Sequence, residues 1–363
     1  MGDCACHEET LQWDGREPSF LFLELTPTCN NRCIGCCNVF ATQRTPAPLS
    51  AQEWEGLIAR LASHVTWLKV SGGEPTLHPE FGEIVSFINT LKLPFRLLTN
   101  GRWPEPERVL ALLQPMASTI TLLVSLHGPD APSHEAFSGV PGSFDEAVTN
   151  IRRAVEAGLR VSTSTVLTRY NWNRVEEMVA FAHSLGADHA VFNRYIGRPL
   201  PTLEATTAQI VRAVQRVEAL ITAGEAVRWG TPVPRCALRQ DFGELSRATQ
   251  DAASPRATSG CLAGEAFATV DPWGNVRPCN HATYAVGNLL AQSFEEVWHS
   301  PKMEAWRAMT LPECAGCAVY ENCHGGCRAE PMLRPTSSYP LPRKPYRVGV
   351  PLETGMPGKR VAA

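Results

Sequence analysis

The sequence predicts an α/β fold: a parallel sheet built from six successive strand–helix units, followed by a loop-rich module ordered by metal. Three observations carry this. Apolar runs of strand length alternate with stretches of helical spacing from residue 20 to about residue 225. The 13 cysteines flank a stretch, 38–235, that has none. Beyond residue 225 the spacing becomes irregular, with Pro-rich and polar turns.

At ~150 residues per domain, 363 residues allow roughly two domains. Hydrophobic residues make up 44% and charged ones 19%, which argues for a folded soluble chain and against disorder. The net charge of −3 gives no electrostatic case for nucleic acid or an anionic membrane as the main partner. No run of ~18 apolar residues exists, so no membrane span is expected. The first residues, MGDCACHEET, are acidic and polar and do not read as a secretory signal. A cytoplasmic location is therefore expected. Thiols stay reduced there, so the cysteines call for metal binding rather than disulfides.

Phe20–Thr26 (FLFLELT) is fit for a buried strand. Ser50–Leu61 opens with a capping box, Ser50 and Glu53, and carries Trp54, Leu57, Ile58 and Leu61 at helical spacing. Val65–Ser71 is the next strand, followed by a helix near Pro79–Leu91. Phe95–Thr99 is a strand and Glu105–Leu113 a helix. Thr119–Ser125 is a strand, and Ser143 with Glu146 caps a helix running to Ala157. Arg160–Leu167 is a strand, and Asn173 with Glu176 caps a helix to Leu185. Asp188–Asn193 is a strand and Thr207–Thr222 a helix. The expected division is an N-terminal segment 1–19, an α/β body 20–225, a cysteine-rich module 226–333 and a tail 334–363. Such alternation implies a parallel sheet, either doubly wound or an incomplete barrel. Functional groups belong at the strand C-terminal ends in both cases.

Cys29, Cys33 and Cys36 follow directly on the first strand. Three thiolates on one loop can hold three irons of a [4Fe–4S] cluster and leave the fourth open for chemistry. A zinc site, or a closed cluster completed by Cys37, is the plainer alternative. Adjacent cysteines do not easily ligate one cubane, which makes Cys37 a poor fourth ligand. Gly72-Gly73-Glu74-Pro75 lies past the second strand. By itself this tetrapeptide is only a turn. Beside a cluster loop it reads as an amino-acid clamp, with glycines for close approach and Glu74 as acceptor for an ammonium group.

These residues resemble the radical S-adenosylmethionine (SAM) superfamily. The resemblance spans about 20–225 and implies a partial (β/α)6 barrel. It implies an open iron that chelates the methionyl amino and carboxylate groups. One electron then cleaves the sulfonium, and the resulting 5′-deoxyadenosyl radical takes a hydrogen atom from substrate. Carried over position by position, Gly72, Gly73 and Glu74 face the methionyl group. Asn100 and Ser125 end the third and fourth strands, and Ser125 meets the ribose or carboxylate. Thr165 and Asn193 end the fifth and sixth and touch ribose or adenine. Two positions depart from the family pattern: Gly35 stands where an aromatic residue is common, and Ser138 where relatives carry Arg. Arg152, Arg169 and Arg194 are the candidates for the missing cation.

The second group is Cys236, Cys261, Cys279, Cys314, Cys317, Cys323 and Cys327. A zinc ribbon is the plain reading of Cys-x2-Cys pairs, but seven cysteines suit two sites better than one. The spacing over about 230–330 resembles the SPASM extension of radical SAM enzymes, which holds two auxiliary [4Fe–4S] clusters. The resemblance implies three [4Fe–4S] clusters in all. Cys236, Cys261, Cys279 and Cys327 would ligate auxiliary cluster I, and Cys314, Cys317 and Cys323 auxiliary cluster II. Gly274 would turn a hairpin. No cysteine follows Cys327, so cluster II is one protein ligand short. Cys4, Cys6, His324, Glu330 and Glu353 are the candidates to complete it, unless substrate does.

Auxiliary clusters favour net two-electron oxidation. The first expectation is an enzyme that cross-links or dehydrogenates a ribosomally made peptide, supplied with electrons by a flavodoxin or ferredoxin. With 28 residues before Cys29, leader recognition would fall to a separate protein or to the barrel. The second expectation is oxidation or epimerisation of a small molecule such as an aminoglycoside-type sugar. Epimerisation needs a thiol hydrogen donor, for which Cys37 is the candidate; its plainer reading is an inert neighbour. A zinc-stabilised binding protein without catalysis is the third, and it leaves Gly72-Gly73-Glu74-Pro75 unexplained.

Overall fold

Seven strands form in parallel sequence where β-branched, aromatic and leucine residues run together. They are β1 (Phe20–Glu24), β2 (Trp67–Ser71), β3 (Phe95–Thr99), β4 (Ile120–Ser125), β5 (Arg160–Leu167), β6 (His189–Arg194) and β7 (Val227–Trp229). The helices between them are α1 (Ala51–Leu61), α2 (Phe81–Thr90), α3 (Pro106–Leu113), α4 (Ala131–Ser138), α5 (Ser143–Glu156), α6 (Val175–Ser184) and α7 (Thr207–Thr222). This computed structural model describes residues 17–40, 46–240, 260–318 and 320–334. Further on come α8 (Arg235–Gln240), β8 (Phe267–Val270), β9 (Asn275–Arg277) and β10 (Gly287–Asn288). Short helices α9 (Phe294–Trp298), α10 (Pro301–Arg307), α11 (Tyr320–Cys323) and α12 (Glu330–Leu333) complete the described chain.

The six expected strand–helix units are present in order. Their sheet is barrel-like but open, in the order β10-β9-β8-β1-β2-β3-β4-β5-β6-β7. β7 extends it beyond β6 in parallel, and β8 pairs in parallel with β1 at the opposite side. The hairpin β8–β9 turns at Gly274, whose φ of 77° suits glycine. The loop-rich module thus contributes strands to the same sheet, which the irregular spacing after residue 225 concealed.

One face of each strand is sealed by helices. Leu21, Leu23, Leu68, Val70, Phe95 and Leu97 pack with Trp54, Ile58, Ile84 and Val85 of α1 and α2. Phe192 and Trp229 pack with Val175 and Val179 of α6 and Val211 and Val214 of α7. Ser50 and Glu53 form the expected capping box. Two other expected caps differ. Gly142, not Ser143, precedes α5; Ser143 Oγ instead meets Ser138 Oγ at 2.7 Å. α6 begins at Val175 after Arg174, with no side-chain cap, because Asn171 closes the loop through Thr168 N at 2.7 Å. Helix α4 went unread in the sequence; Asp130 caps it by accepting from Ser133 N at 2.9 Å.

Candidate active site

The Cys29–Cys36 loop leaves the C-terminal end of β1 and is held from three sides. The turn after β2 lies on its backbone: Gly73 N donates to Thr26 O at 2.7 Å and Glu74 N to Thr28 O at 2.8 Å. A side chain at Gly72 would place its Cβ 2.6 Å from Thr26 O, and one at Gly73 would strike Thr28 O. Both glycines are therefore required by the cysteine loop itself. From the second side, the last carbonyls of α4 receive the loop: Arg32 N donates to Ser138 O at 2.9 Å and Ile34 N to Phe137 O at 3.0 Å. From the third, Arg102 Nη1 donates to Asn30 O at 2.7 Å and Asn31 Oδ1 at 2.8 Å.

Glu74 is fully buried. Its carboxylate accepts from Thr76 Oγ1 at 2.7 Å, Thr99 Oγ1 at 2.9 Å and Asn100 N at 2.7 Å. Burial raises its pKa, and these donors oppose the rise. The carboxylate thus locks the β2 turn to the end of β3, an engagement the expectation of a plain ammonium acceptor did not include. Asn100 is buried, and its Nδ2 lies 2.7 Å from Asn30 Oδ1 and 3.7 Å from Cys29 Sγ.

Ser125 ends β4 opposite Ser164. Asn193 Nδ2 donates to Ser164 Oγ at 3.2 Å, so these residues share the inner face of the sheet. Thr165 lies on the other face. It shares strand parity with Val161 and Leu167, which lie in the cores under the helices. Its hydroxyl donates to Leu126 O at 2.5 Å and it is 3% exposed. Ser164, which the sequence reading passed over, occupies the inner face; counting parity from the core residues would have found it.

Two further features bear on the site. Arg194 is paired bidentately with Glu330 at 2.9 and 3.1 Å, both buried, so neither is a spare cation or a spare ligand. Arg152 and Arg169 are exposed. The room above Gly35, which stands where an aromatic residue is common in the family, is filled from outside: a Cβ there would meet Leu203 Cδ2 at 2.7 Å and Phe137 Cε2 at 2.9 Å.

Among the described residues no cysteine is in a disulfide. Asn31 N lies 3.4 Å from Cys29 Sγ and Asn38 N 3.4 Å from Cys36 Sγ. Loss of hydration, with Cys36, Cys29 and Cys37 nearby, pushes the Cys33 thiol up to about 12. Such a crowd of thiols becomes anionic only against a cationic partner, and N–H groups aimed at sulfur suit iron–sulfur ligation. No three His, Cys, Asp or Glu side chains among the described residues lie close enough to share a single ion; a cubane instead takes one thiolate per iron corner.

The Cys279 loop of the second cysteine group lies beside the first group, with Asn280 next to Cys37. Cys279 and Cys327 belong to one buried cluster with Ile196 and Trp306, and Cys261, partly buried, packs against it. Burial raises Cys279 well above its usual range, and Cys261 and Cys327 add to the rise. Arg277 on β9 links the two groups. It is buried, pairs with Glu24 at the end of β1, and donates through Nη1 to Asn280 O at 2.8 Å and Ala282 O at 2.9 Å. Phe40 covers its guanidinium at 4.6 Å. Cys37 is exposed, and its Sγ lies 3.8 Å from Asn280 Nδ2. Cys4, Cys6 and Glu353 lie outside the described residues.

The family model described as "Radical SAM superfamily" matches residues 23–182, and that described as "SPASM: Iron-sulfur cluster-binding domain" matches 261–325. The mycofactocin maturase MftC of Mycolicibacterium smegmatis is 30% identical over 327 residues, covering 86% of this chain and 78% of that protein. The chain belongs to the radical SAM superfamily. It is a radical SAM oxidoreductase of the SPASM subgroup, a class that works with SAM and iron–sulfur clusters. The AdoMet-dependent heme synthase of Methanosarcina barkeri is 28% identical over 343 residues, 91% of this chain and 96% of that one. Streptococcus suis SuiB bound to its precursor peptide SuiA shares the fold, with a TM-score of 0.70 at 18% identity over 92% of this chain and 75% of that one. No described helix is long and apolar enough to cross a membrane.

Proposed function

We propose that this radical SAM enzyme oxidises a ribosomally made peptide by cross-linking or dehydrogenation. One observation carries the reading: Arg277 holds the Cys279 loop and the end of β1 in a single hydrogen-bonded unit, so an oxidisable substrate radical would form beside an electron acceptor. The similarity to a maturase, and the fold shared with a peptide-bound enzyme, support a peptide substrate.

In this reading Cys29, Cys33 and Cys36 hold the SAM-binding cluster. When bound, cluster and SAM together supply a 5′-deoxyadenosyl radical from one low-potential electron, delivered by a flavodoxin or ferredoxin. The chain's own part is positional. Gly72, Gly73 and Glu74 fix the cysteine loop and present main-chain groups to the methionyl end. Asn100 orients the Cys29 side of the loop. Ser125, Ser164 and Asn193 line the inner face toward the nucleoside. Cys261, Cys279, Cys314, Cys317, Cys323, Cys327 and Cys236 hold two auxiliary clusters, three clusters in all. Residues 20–225 act as the barrel and 226–333 as the cluster module. A separate peptide-recognition protein would present the leader.

The second reading, a small-molecule oxidation or epimerisation, is favoured by the similarity to the heme synthase along 96% of that protein. Anaerobic incubation with SAM, dithionite and candidate substrates, followed by mass spectrometry, separates the two. A loss of two mass units from a peptide supports the first reading. Turnover of a small molecule with peptides untouched overturns it. Solvent deuterium uptake that Cys37→Ser abolishes would mark an epimerase.

A further inference from the structure

The SPASM-like spacing assigns three cysteines, Cys314, Cys317 and Cys323, to the second auxiliary cluster. The structure brings an earlier segment of the chain against them. The turn that opens α8 is seated on the segment following Cys323. Arg235 N donates to Cys323 Sγ at 3.4 Å. Pro234 packs against Gly326, where a Cβ would come within 2.8 Å of Pro234 Cγ. Cys236 is the next residue after Arg235 and is half-buried. On the same segment, a Cβ at Gly325 would come within 2.9 Å of Cys314 Sγ. Cys317 N in turn donates to Cys314 O at 3.1 Å.

Other candidates fare worse. The Glu330 carboxylate is held by both Arg194 nitrogens. His324 Nδ1 faces Arg328 Nη2 at 3.3 Å, which leaves only its other nitrogen. Cys279 and Cys327 lie in a buried cluster against which Cys261 packs, and both neighbours act on the Cys279 thiol.

We propose that Cys236 is the fourth thiolate ligand of the second auxiliary cluster, beside Cys314, Cys317 and Cys323. This moves it from the first auxiliary cluster, where the sequence pattern had put it, and leaves that cluster with Cys261, Cys279 and Cys327. The backbone N–H from Arg235 to Cys323 is then a bond of the kind that tunes cluster sulfur. The assignment rests on the three-cluster reading above.

The test is iron and sulfide counting with low-temperature EPR on the full chain, reconstituted anaerobically. Three cubanes give about twelve irons per wild-type chain. Cys317→Ala and Cys236→Ala should each lose up to about four irons, or alter the same EPR signal if the cluster persists on three ligands. The double variant should lose no more than Cys317→Ala alone, whereas Cys236→Ala with Cys261→Ala should lose both clusters, as independent sites do. Cys236→Ser repeats the test if the alanine variant folds poorly. Losses that add to Cys317→Ala but not to Cys261→Ala overturn the assignment. So do iron and EPR unchanged in Cys236→Ser, or a loss produced instead by His324→Ala or by Cys4→Ala with Cys6→Ala. A wild-type chain that takes up no iron sinks the cluster reading itself, a distinct failure.

Discussion

Thr165 and Asn193 sit on neighbouring strands, yet parity sends them to opposite faces. Thr165 spends its hydroxyl on Leu126 O among core residues, while Asn193 reaches Ser164 on the inner face. Thr165→Val should therefore leave SAM affinity unchanged and cost about 1 kcal/mol of stability, the worth of one hydrogen bond. Asn193→Ala should weaken SAM binding by roughly tenfold, about 1.4 kcal/mol. Equilibrium dialysis on reconstituted protein compares the two; equal weakening by both would contradict the assignment of faces. Gly73 makes a sharper case, because any Cβ there meets the Thr28 carbonyl. Gly73→Ala should destabilise by roughly 1–3 kcal/mol through overpacking and displace the cysteine loop. Urea denaturation and iron content both read it.

At the scale of elements, the six strand–helix units and the Ser50 capping box were legible because apolar periodicity and cap chemistry are local. Helix α4 was not, although its C-terminal carbonyls hold the cysteine loop. It is short, with a weak apolar stripe, and its Asp130 cap is followed by a proline two residues on. The partnership of Phe137 and Leu203 over Gly35 was equally hidden, since no local pattern joins residues so far apart in the chain. Inside α4, His134 is 1% exposed, and loss of hydration, with Arg102 nearby, lowers its pKa to about 4. The unfolded chain binds this proton below pH ~6.5 and the folded chain does not until about pH 4, so stability falls on acidification across that window. The contribution is up to about 3 kcal/mol. His134→Gln should flatten the pH dependence of unfolding between pH ~6.5 and about 4 relative to wild type. Parallel curves for both proteins would contradict the burial argument.

At the scale of the molecule, two buried ion pairs join the barrel to the cysteine-rich module: Glu24–Arg277 and Arg194–Glu330. The sequence held both cysteine groups in view but not these ties, because each pair spans more than a hundred residues. Arg277→Gln leaves Glu24 buried without its cation and should cost about 3–5 kcal/mol. Adding Glu24→Gln should recover much of that loss, and denaturation of the single and double variants measures it. A double variant as unstable as the single would show that Arg277 acts through the Asn280 and Ala282 carbonyls alone.

The account rests on three thiolates that leave one iron of the first cluster open to SAM. The most direct measurement is 5′-deoxyadenosine release by the anaerobically reconstituted chain, given SAM and dithionite, in wild type and in Cys33→Ala. Release by wild type and none by Cys33→Ala is the predicted result. An iron-loaded wild type that releases none, or a Cys33→Ala variant that still does, would contradict it.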